Sequence, residues 1–582
     1  MDYSELTKNS IFIEVGSFKN YGGWVLDTQF IMNMGSAYLL AHGLGIPVSD
    51  AETTVTPPLA GSYRLWAFTK DWVAHWKKNC APGLFKVRIN EAECPAVFGS
   101  YGEEWQWQDG GVVEIPSAAI HISLHDLTGF EGRCGGLFLT QDLNFSPPDN
   151  IEELGKLRRV LCKHENIDFL GNYDIAVAGG GFSGMCTAVT AARKGLRVAL
   201  IQDRDVFGGN NSSEVRVWLG GETNFEPFPN IGNITREFEQ KKKAHYGAEN
   251  IGEIYEDEKK AYIIRNEKNI DIFTGLFLID AITSNDMIES VVVYDVKTGA
   301  YGRISAQLYA DCTGDGNLGY FAGAHFEVTT NGHMGMTNIW NIKDCGFELP
   351  FPECPWAIDL SCVDFPGRKD TKDIYGQKRE VSLGCWFWES GMEHDPIKMA
   401  EYARDTNFRA MYGAFDCVKN IDHDYKNFKL NFCAYIGGKR ESRRLLGDII
   451  LTKSDVFTET VFPDAVIPST WNFDVHYPDR RFYSAFHEGD GFITHDYHEN
   501  FKSPYFLPYR CLYSRNIHNL FMAGRDISVS HDASGTARVM RTCGMMGEVV
   551  GKAAFICQKH GISPREVYTD YLNDLLDLCR QK

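Results

Sequence analysis

Apolar runs alternate with glycine-rich turns between Tyr173 and Gly209. Small apolar and β-branched residues fill positions 175–178, and a second apolar run covers positions 198–201. Between them, Gly179-x-Gly181-x-x-Gly184 leads into an alanine-rich stretch of helical character. This order predicts a strand, a tight turn, a helix and a second strand, which is the context of a dinucleotide-binding loop.

Each glycine of this loop has a separate expected role. Gly179 permits the tight turn, Gly181 lets the backbone approach a pyrophosphate, and Gly184 lets the helix pack closely on the strand. The first helical residues, Phe182 and Ser183, lie at the positive end of the helix dipole, where free amides suit phosphates. The alternative, a glycine-rich turn in an ordinary α/β domain, agrees less well with the two flanking strands.

The end of the second strand departs from the usual dinucleotide pattern. An acidic residue there binds the ribose hydroxyls in NAD- and FAD-binding units. Here Gln202 stands in that position, and Asp203 follows it. An amide can hydrogen-bond a ribose hydroxyl, although without the strength of a charged acceptor.

The N-terminal region has a different pattern. Short runs of mixed β-branched and aromatic residues cover positions 63–68, 85–89 and 119–124. Turn signals such as Pro57-Pro58 and Asp109-Gly110-Gly111 separate them. Short strands at this spacing predict an antiparallel β-sandwich over residues 8–143.

Tryptophans are dense in this N-terminal region, and two interpretations are open for them. Core packing is favoured for any single one, whereas several together can form an apolar platform for a sugar ring. They are Trp24, Trp66, Trp72, Trp76, Trp105 and Trp107. The region resembles the carbohydrate-binding β-sandwich modules of bacterial glycan proteins through Ile13-Glu14-Val15, Gly22-Gly23-Trp24, Gly35-Ser36-Ala37-Tyr38-Leu39 and Ala60-Gly61-Ser62-Tyr63-Arg64-Leu65-Trp66.

Composition limits the partners and the compartment. The 582 residues suffice for about three domains. A net charge of -19 disfavours nucleic acid or an anionic membrane as the main partner. Neither a secretory leader nor an apolar run of membrane-spanning length is visible. The 16 cysteines are scattered without a CxxC pair, so we expect a cytoplasmic protein without a metal centre.

Domain boundaries are predicted from changes in composition and residue pattern along the chain. Residues 144–150 contain two prolines that break regular structure, and residues 151–165 form a charged, helix-like segment. The first part of the cofactor domain is expected at residues 172–335. A substrate domain at residues 336–504 follows, and the last part of the cofactor domain, with C-terminal helices, is expected at residues 505–582.

Two later segments extend the dinucleotide signal. Residues 309–316, YADCTGDG, are typical of a strand that ends in a glycine turn, and residues 519–525, NLFMAGR, of a further strand. With residues 208–216, GGNNSSEVR, they resemble the bacterial FAD-dependent oxidoreductase family related to the fumarate reductase and glutathione reductase flavoproteins. The resemblance implies FAD as cofactor and a Rossmann-like α/β domain, with an inserted α+β substrate domain over the flavin.

The resemblance also implies which residues contact FAD. The usual Gly-Asp of the last strand is Gly524-Arg525 here, with Asp526 next, and either side chain can reach a ribityl hydroxyl or the pyrophosphate. The expected contacts are Gly179, Gly181, Phe182, Ser183, Gly184, Gln202, Asp203, Gly209, Asn210, Ser212, Arg216, Thr313, Gly314, Asp315, Gly524, Arg525 and Asp526.

The segment between the later FAD signals is expected to select the substrate. It combines Trp386-Phe387-Trp388-Glu389 and Trp471-Asn472-Phe473-Asp474 with Arg440-Glu441-Ser442-Arg443 and Tyr509-Arg510. Aromatic faces beside guanidinium, carboxylate and amide groups suit a polyhydroxylated, sugar-like small molecule. A solvated helix face or an ion-pair network is an equally open interpretation of the arginine cluster.

Oxidation of a hydroxyl to a ketone needs a base, while the hydride goes to the flavin. Histidine suits neutral pH, although a single histidine more often has a structural role. His531, just after the last FAD strand, ranks first, followed by His476, and His333 is a further candidate. Arg216 and Arg538 can stabilise an oxyanion or the negative charge of the reduced flavin.

The leading hypothesis is an FAD-dependent oxidoreductase that oxidises a hydroxyl of a sugar or glycoside. A redox-neutral cycle that eliminates a glycosidic leaving group is compatible with it. One alternative is a flavin-dependent reductase or dehydrogenase of a carbon–carbon double bond, with Arg440, Arg443, Arg444 and Arg510 suited to a carboxylate substrate. A non-catalytic glycan-binding flavoprotein is the other. The electron acceptor stays open, and a homo-oligomer is compatible with the sequence.

Overall fold

The computed structural model describes residues 2–243, 246–369, 378–479 and 491–581. The predicted substrate domain at residues 336–504 therefore includes two stretches, 370–377 and 480–490, that lie outside the described residues. In the described parts of the chain, no helix combines the length and the apolar character needed to cross a membrane.

Antiparallel sheets form the N-terminal region. Alternate residues of Phe85–Ile89 are buried, as expected for a half-buried strand. The first sheet has the strand order Ser10–Ile13, Gly136–Thr140, Gly61–Thr69 and Gln106–Ile115. The second has the order Ala51–Val55, Ile120–Asp126, Phe85–Ile89 and Ala92–Glu93. The third has the order Gly132–Cys134, Tyr38–Ala41 and Val25–Asp27. Short helices cover Ser4–Lys8, Val15–Ser17 and Ile31–Met34. Side chains of the first two sheets, such as Leu65 and Phe85, share one hydrophobic core.

Most tryptophans of this region are packed rather than open to solvent. Trp24, Trp72 and Trp107 are at most 6% exposed. The Trp105 indole nitrogen donates to Glu401 at 3.1 Å. The Trp76 ring lies 4.7 Å from the ring of Tyr402, the next residue. Two of the half-buried tryptophans therefore contact the helix Ala400–Asp416.

The central sheet has seven strands, and five of them are parallel. Its order is Ile270–Thr274, Val198–Gln202, Ile167–Ala178, Tyr301–Asp311, Met287–Asp295 and Leu276–Ser284, and Leu520–Met522 pairs with the end of Tyr301–Asp311. Met287–Asp295 and Leu276–Ser284 form the antiparallel part. Apolar runs such as Val198–Gln202 are buried along their whole length, as expected for parallel strands covered on both faces.

Two helices that pack closely against each other cover one face of this sheet. Phe182–Arg193 packs against Met540–His560. A Cβ at Gly547 would lie 2.2 Å from the Ser183 carbonyl oxygen, so glycine permits this separation. The other helices of the cofactor region are Ile151–Leu161, Asn233–Glu237, Gly252–Tyr255, Asp257–Arg265, Asn317–Phe321, His531–Ala537, Pro564–Asp570 and Leu572–Arg580.

The remaining strands form small sheets, and one of them, Trp340–Asp344 with Phe428–Cys433, packs in an aromatic core that includes Trp340, Trp356 and Phe408. The paired strands are Phe326–Glu327 with Arg444–Leu445, Met336–Thr337 with Glu389–Ser390 and Gly438–Lys439, Trp340–Asp344 with Phe428–Cys433, Ala465–Ser469 with Tyr505–Pro508, and Phe473–Pro478 with Thr494–Glu499. The described helices are Arg379–Ser382, Ala400–Asp416, Cys417–Ile421, Lys453–Phe457 and Tyr509–Cys511.

A buried ion network joins the N-terminal region to the helix Ala400–Asp416. Arg133 Nη2 lies 2.6 Å from Asp405 Oδ1, and Arg404 Nη1 lies 2.7 Å from Asp27 Oδ2. Arg133 also contacts Glu401 at 2.8 Å. Because buried charges need close partners of opposite sign, this network holds the two regions in one relative position.

Asp405→Asn removes the carboxylate that both buried arginines of the network contact. We expect the free energy of unfolding to fall by about 3–5 kcal/mol, since a buried guanidinium loses its counter-charge. Chemical denaturation of the FAD-loaded protein measures the change. The control is Glu5→Gln in the exposed Lys8–Glu5 pair, which should not shift the denaturation midpoint. An equal shift in both variants would contradict the assigned role.

Candidate active site

Three glycine-containing turns meet at one edge of the central sheet. Asp311 is in register with Ala178 on one side and with Met522 on the other, in parallel pairs. The carboxyl ends of these strands therefore lie together, where α/β sheets bind ligands. The turns border a cavity of about 330 Å³. The predicted cofactor contacts in its lining are Gly179, Gly181, Phe182, Ser183, Gln202, Asp203, Gly209, Asn210, Thr313, Gly314, Asp315, Gly524 and Arg525.

The glycine loop fits a pyrophosphate. At Gly179, with φ +104°, a Cβ would lie 2.3 Å from the Cys312 carbonyl oxygen, and at Gly184 a Cβ would lie 1.8 Å from the Gly179 carbonyl oxygen. Gly181 borders open space, since its Cβ would meet only the Gly209 Cα, at 3.9 Å. The helix that starts at Phe182 has no side-chain cap, so its first amides are available to phosphate oxygens.

Gln202, in the expected acidic position, braces the glycine loop itself. Its Oε1 accepts from the Gly180 amide at 2.7 Å, and its Nε2 donates to the Val206 carbonyl at 3.1 Å. Asp203 also lines the cavity, and its Oδ2 accepts from the Thr28 hydroxyl at 2.7 Å. The charged acceptor at this end of the cavity is thus Asp203, oriented by the N-terminal region.

The N-terminal region also supplies part of the cavity wall, which the sequence analysis missed. Gln29, Met32 and Asn33 line the cavity. Gln29 Nε2 donates to the Tyr435 carbonyl at 3.0 Å, and its Oε1 accepts from the Gly437 amide at 2.7 Å. No motif could have revealed this contact, because a single amide side chain far from the glycine loop makes it.

Asp315 is held between two cations in the cavity wall. Lys439 Nζ lies 2.7 Å from Asp315 Oδ2, and Arg525 Nη2 lies 2.6 Å from Asp315 Oδ1. Burial alone would raise the pKa of Asp315, but Lys439 and Arg525 lower it below its usual value. The carboxylate is therefore ionised at neutral pH and fixes both basic side chains.

Ser212 and Arg216 support the neighbouring loop and lie outside the cavity lining. The Ser212 hydroxyl donates to the Gly209 carbonyl at 2.7 Å. The Arg216 guanidinium lies 3.4 Å from the centre of the Phe432 ring and donates to the Asn250 carbonyl at 2.8 Å. Both side chains are thus engaged within the protein.

Asp526 is fully buried and also lies outside the cavity lining. Burial raises its pKa well above the usual value, and the nearby Asp311 carboxylate raises it further. Asp311 instead accepts from the Thr313 and Gly319 amides, at 3.0 and 2.9 Å. Arg525, rather than Asp526, is therefore the polar side chain that the last strand presents to the cavity.

A cluster of charges stands at another part of the cavity, where Trp386, Thr337, Arg440 and Arg538 form the wall. Arg440 Nη1 donates to the Thr337 hydroxyl at 2.6 Å and lies 3.2 Å from a buried carboxylate oxygen of Glu389. Burial alone would raise the pKa of Glu389, but Arg440 and His476 lower it to about 2. Glu389 is thus a fixed negative charge behind the cavity wall.

His476 is buried behind this cluster and does not line the cavity. Its Nδ1 lies 2.6 Å from Glu389 Oε2. Its Nε2 lies 3.0 Å from Asp474 Oδ1 and 3.4 Å from Arg538 Nη2. One nitrogen thus faces a carboxylate, while the other faces both an acceptor and a donor, so the ring finds partners with or without a second proton.

Asp474, Asp496 and His498 place possible metal-ligand atoms within 4.8 Å of one another. Asp474 already lies 3.3 Å from the Arg538 guanidinium. Burial alone would raise the pKa of Asp474, but Arg538 and His476 lower it. The Arg538 guanidinium therefore already neutralises the one buried carboxylate of this group.

His531 lies outside the cavity lining, and the Glu441 carboxylate orients its ring. Its Nδ1 lies 2.8 Å from Glu441 Oε2, and the Glu441 carboxylate is held in turn by Arg444 and by the Met334 amide. Within the described residues, its Nε2 makes no hydrogen bond, and the side chain is 24% exposed. By contrast, both ring nitrogens of the buried His333 face backbone carbonyls, of Met334 and His394, at 2.7 Å.

The chain belongs to the FAD dependent oxidoreductase family, whose model matches residues 174–576. No curated protein matches the chain. Membership of this family makes FAD the cofactor of the chain. The matched residues include all three turns that border the cavity.

Three solved structures show distant similarity to this chain. OxyS anhydrotetracycline hydroxylase from Streptomyces rimosus is 13% identical over 30% of this chain and 38% of its own, with a TM-score of 0.23. E. coli quinol fumarate reductase FrdA is 10% identical over 71% of this chain and 75% of its own, with a TM-score of 0.30. A geranylgeranyl bacteriochlorophyll reductase-like protein from Thermoplasma acidophilum is 11% identical over 71% of this chain and 83% of its own, with a TM-score of 0.31.

The match spans 38% of OxyS and 45% of the myxobacterial chondrochloren halogenase CndH. At TM-scores this low, the similarity supports no conclusion about substrate or reaction. Family membership rests on the match over residues 174–576 alone.

Gln29→Ala removes two hydrogen bonds between the N-terminal region and the cavity wall. We expect FAD affinity to fall about 3- to 10-fold, as for the loss of one or two partly buried neutral hydrogen bonds. Titration of the apoprotein with FAD, followed by flavin fluorescence, measures this change. Gln141→Ala is the matched control, because Gln141 donates to the Ala60 carbonyl at an exposed position. Unchanged FAD affinity in Gln29→Ala would refute the role of this wall.

Proposed function

We propose that the enzyme oxidises a hydroxyl of a sugar or glycoside. The observation that carries this proposal is the cavity wall where Trp386 lies beside Thr337, Arg440 and Arg538. An aromatic face next to several fixed hydrogen-bonding groups suits a ring that bears hydroxyls. The substrate domain of this proposal is residues 336–504.

The cavity residues divide among the parts of FAD. Amides that follow Gly181 suit the pyrophosphate, and Asp203 suits the ribose hydroxyls because Gln202 is engaged by the loop. Asp315 and Arg525 offer a carboxylate and a guanidinium to the remaining polar chain of the cofactor. Bound FAD supplies the two-electron acceptor for the oxidation.

His531 is the proposed base. Its Nδ1 is held by Glu441, which leaves Nε2 to take the proton of the substrate hydroxyl. Glu441 then stabilises the imidazolium that forms, and Arg444 keeps the carboxylate ionised and in place. A ketone next to an acidic C–H would also permit loss of a glycosidic leaving group, a redox-neutral outcome that uses the same base.

Arg440 and Arg538 are the proposed stabilisers of charge on the substrate oxygen. Both line the cavity, and each is oriented by a carboxylate, Glu389 for Arg440 and Asp474 for Arg538. Burial lowers the pKa of Arg538 and the Asp474 carboxylate raises it, with a net lowering. His476, between the two carboxylates, is proposed as a positioning residue.

The domain arrangement is part of the proposal. The shared core of two antiparallel sheets supports a β-sandwich at residues 8–143, and strands from residues 172–335 and 505–582 support a cofactor domain in two parts. All 16 cysteines are free thiols, which supports a cytoplasmic location.

A carbon–carbon double-bond reductase is a weaker candidate. Its carboxylate substrate would need arginines at the cavity, but of the four candidates only Arg440 is among the described lining residues. Arg440 is bound by Glu389, Arg443 by Asn317, Arg444 by Glu441 and Arg510 by Asp464.

Anaerobic bleaching of the flavin tests the substrate class. We expect a panel of sugars and glycosides to bleach the yellow enzyme, and a panel of enoates to leave the chemically reduced enzyme unoxidised. Flavin absorbance follows both reactions. Reoxidation by enoates without bleaching by any sugar would overturn the proposal.

His531→Ala should leave FAD bound and slow substrate-driven bleaching by about 100-fold or more, because the proton acceptor is lost. His121→Ala is the matched control, on a strand of the N-terminal region. Stopped-flow absorbance measures the bleaching rate, and flavin content per protein measures occupancy. Bleaching at the unchanged rate in His531→Ala would exclude His531 as the base.

A further inference from the structure

A second cavity, of about 580 Å³, lies beside the cofactor cavity. Two short segments separate the two spaces. Val217 and Met540 line the cofactor cavity, whereas the adjacent Trp218 and Arg541 line the second one. The wall is thus one residue thick along each segment, and a ligand in the second cavity lies next to the charge cluster around Arg538.

The second cavity is basic in a protein whose net charge is -19. Arg236, Lys242 and Lys243 line it, and none of them forms an ion pair with a described residue. A fourth cation, Arg541, is neutralised by Glu239 at 2.7 Å. Glu222 is the one further acid among the described lining residues, so three positive charges stand against one negative charge. This excess of positive charge favours an anionic ligand.

Two tryptophans complete this cavity, with ring centres 5.9 Å apart at an angle of 66°. Trp471 is fixed at both ends. Its Nε1 donates to Asp474 at 2.9 Å, and its six-membered ring packs on Gly220, where a Cβ would lie 3.4 Å from the ring. Trp218 and Trp471 are both half-buried, so part of each indole is open to a ligand.

Trp471 also connects the second cavity to the charge cluster. The carboxylate that its indole contacts is the one that contacts Arg538 and His476. A ligand on Trp471 is therefore two side chains away from Arg538, which lines the cofactor cavity.

We propose that the second cavity binds an anionic sugar unit, carrying a carboxylate or a sulfate, that adjoins the unit being oxidised. The tryptophans stack on the sugar ring, and Arg236, Lys242 and Lys243 bind the anion. This inference rests on the proposed sugar substrate, and it narrows that class to acidic saccharides.

Calorimetric titration of the FAD-loaded enzyme at low salt tests the inference with three probes: methyl β-D-glucuronide, glucose 6-sulfate and neutral methyl β-D-glucoside. We expect at least one acidic probe to bind about tenfold more tightly than the glucoside, the gain typical of a hydrogen bond to a charged group. The acidic probe with the higher affinity identifies the anion. Equal affinity for all three probes, or no binding of either acidic probe, overturns the inference.

Substitutions in the lining of the second cavity test whether the probes bind there. The combined Arg236→Gln, Lys242→Gln and Lys243→Gln variant should lose the tenfold preference, and Trp218→Leu should weaken all three probes alike. Lys241→Gln is the matched control, since Lys241 is an exposed neighbour outside the cavity lining. An undiminished preference in the triple variant overturns the inference.

Binding and turnover separate this inference from the proposed function. Acidic probes that bind through the three cations without bleaching the flavin would support the second cavity and count against sugar oxidation. Neutral sugars that bleach the flavin, with no preference for acidic probes in binding, would support sugar oxidation and overturn the inference.

Discussion

The strand Tyr301–Asp311 pairs in parallel with two other strands, and the cofactor cavity depends on this pairing. It sets Ala178, Asp311 and Met522 in one row, so turns that are more than 100 residues apart in sequence open at one sheet edge. Asp311 reinforces this edge by accepting amide hydrogen bonds from the turn that follows it and from the helix Asn317–Phe321 beyond. A shift in either register would separate the turns and remove the cavity.

The N-terminal region has a role that its resemblance to a carbohydrate module does not imply. Through Thr28 and Gln29 it orients Asp203 and closes part of the cofactor cavity. Burial of the Arg133 and Arg404 guanidinium groups beside Asp27 and Asp405 would be unfavourable if the two regions separated. Packing of Trp76 and Trp105 on the same helix adds apolar area to this contact.

Carboxylates that hold histidine and arginine side chains recur around the cavity, and the arrangement has a chemical consequence. Glu441 holds His531 by one ring nitrogen, whereas both ring nitrogens of His476 face carboxylates, of Glu389 and Asp474. Two histidines that look alike in the sequence thus have different surroundings. The proposal of His531 as the base rests on its second ring nitrogen, which makes no hydrogen bond within the described residues.

Local pattern determined much of this protein. The glycine loop, the two later glycine turns and the strand at Phe85–Ile89 follow from short-range spacing, because a tight turn needs glycine at particular positions. The choice of FAD followed from the family resemblance that these segments carry. Only the tertiary structure decided that Gln202 braces the loop, that Asp526 is buried away from the cavity, and that Gln29 belongs to its wall. These outcomes depend on which distant side chains come within hydrogen-bond distance, and contacts of that kind leave no periodicity or motif in the chain.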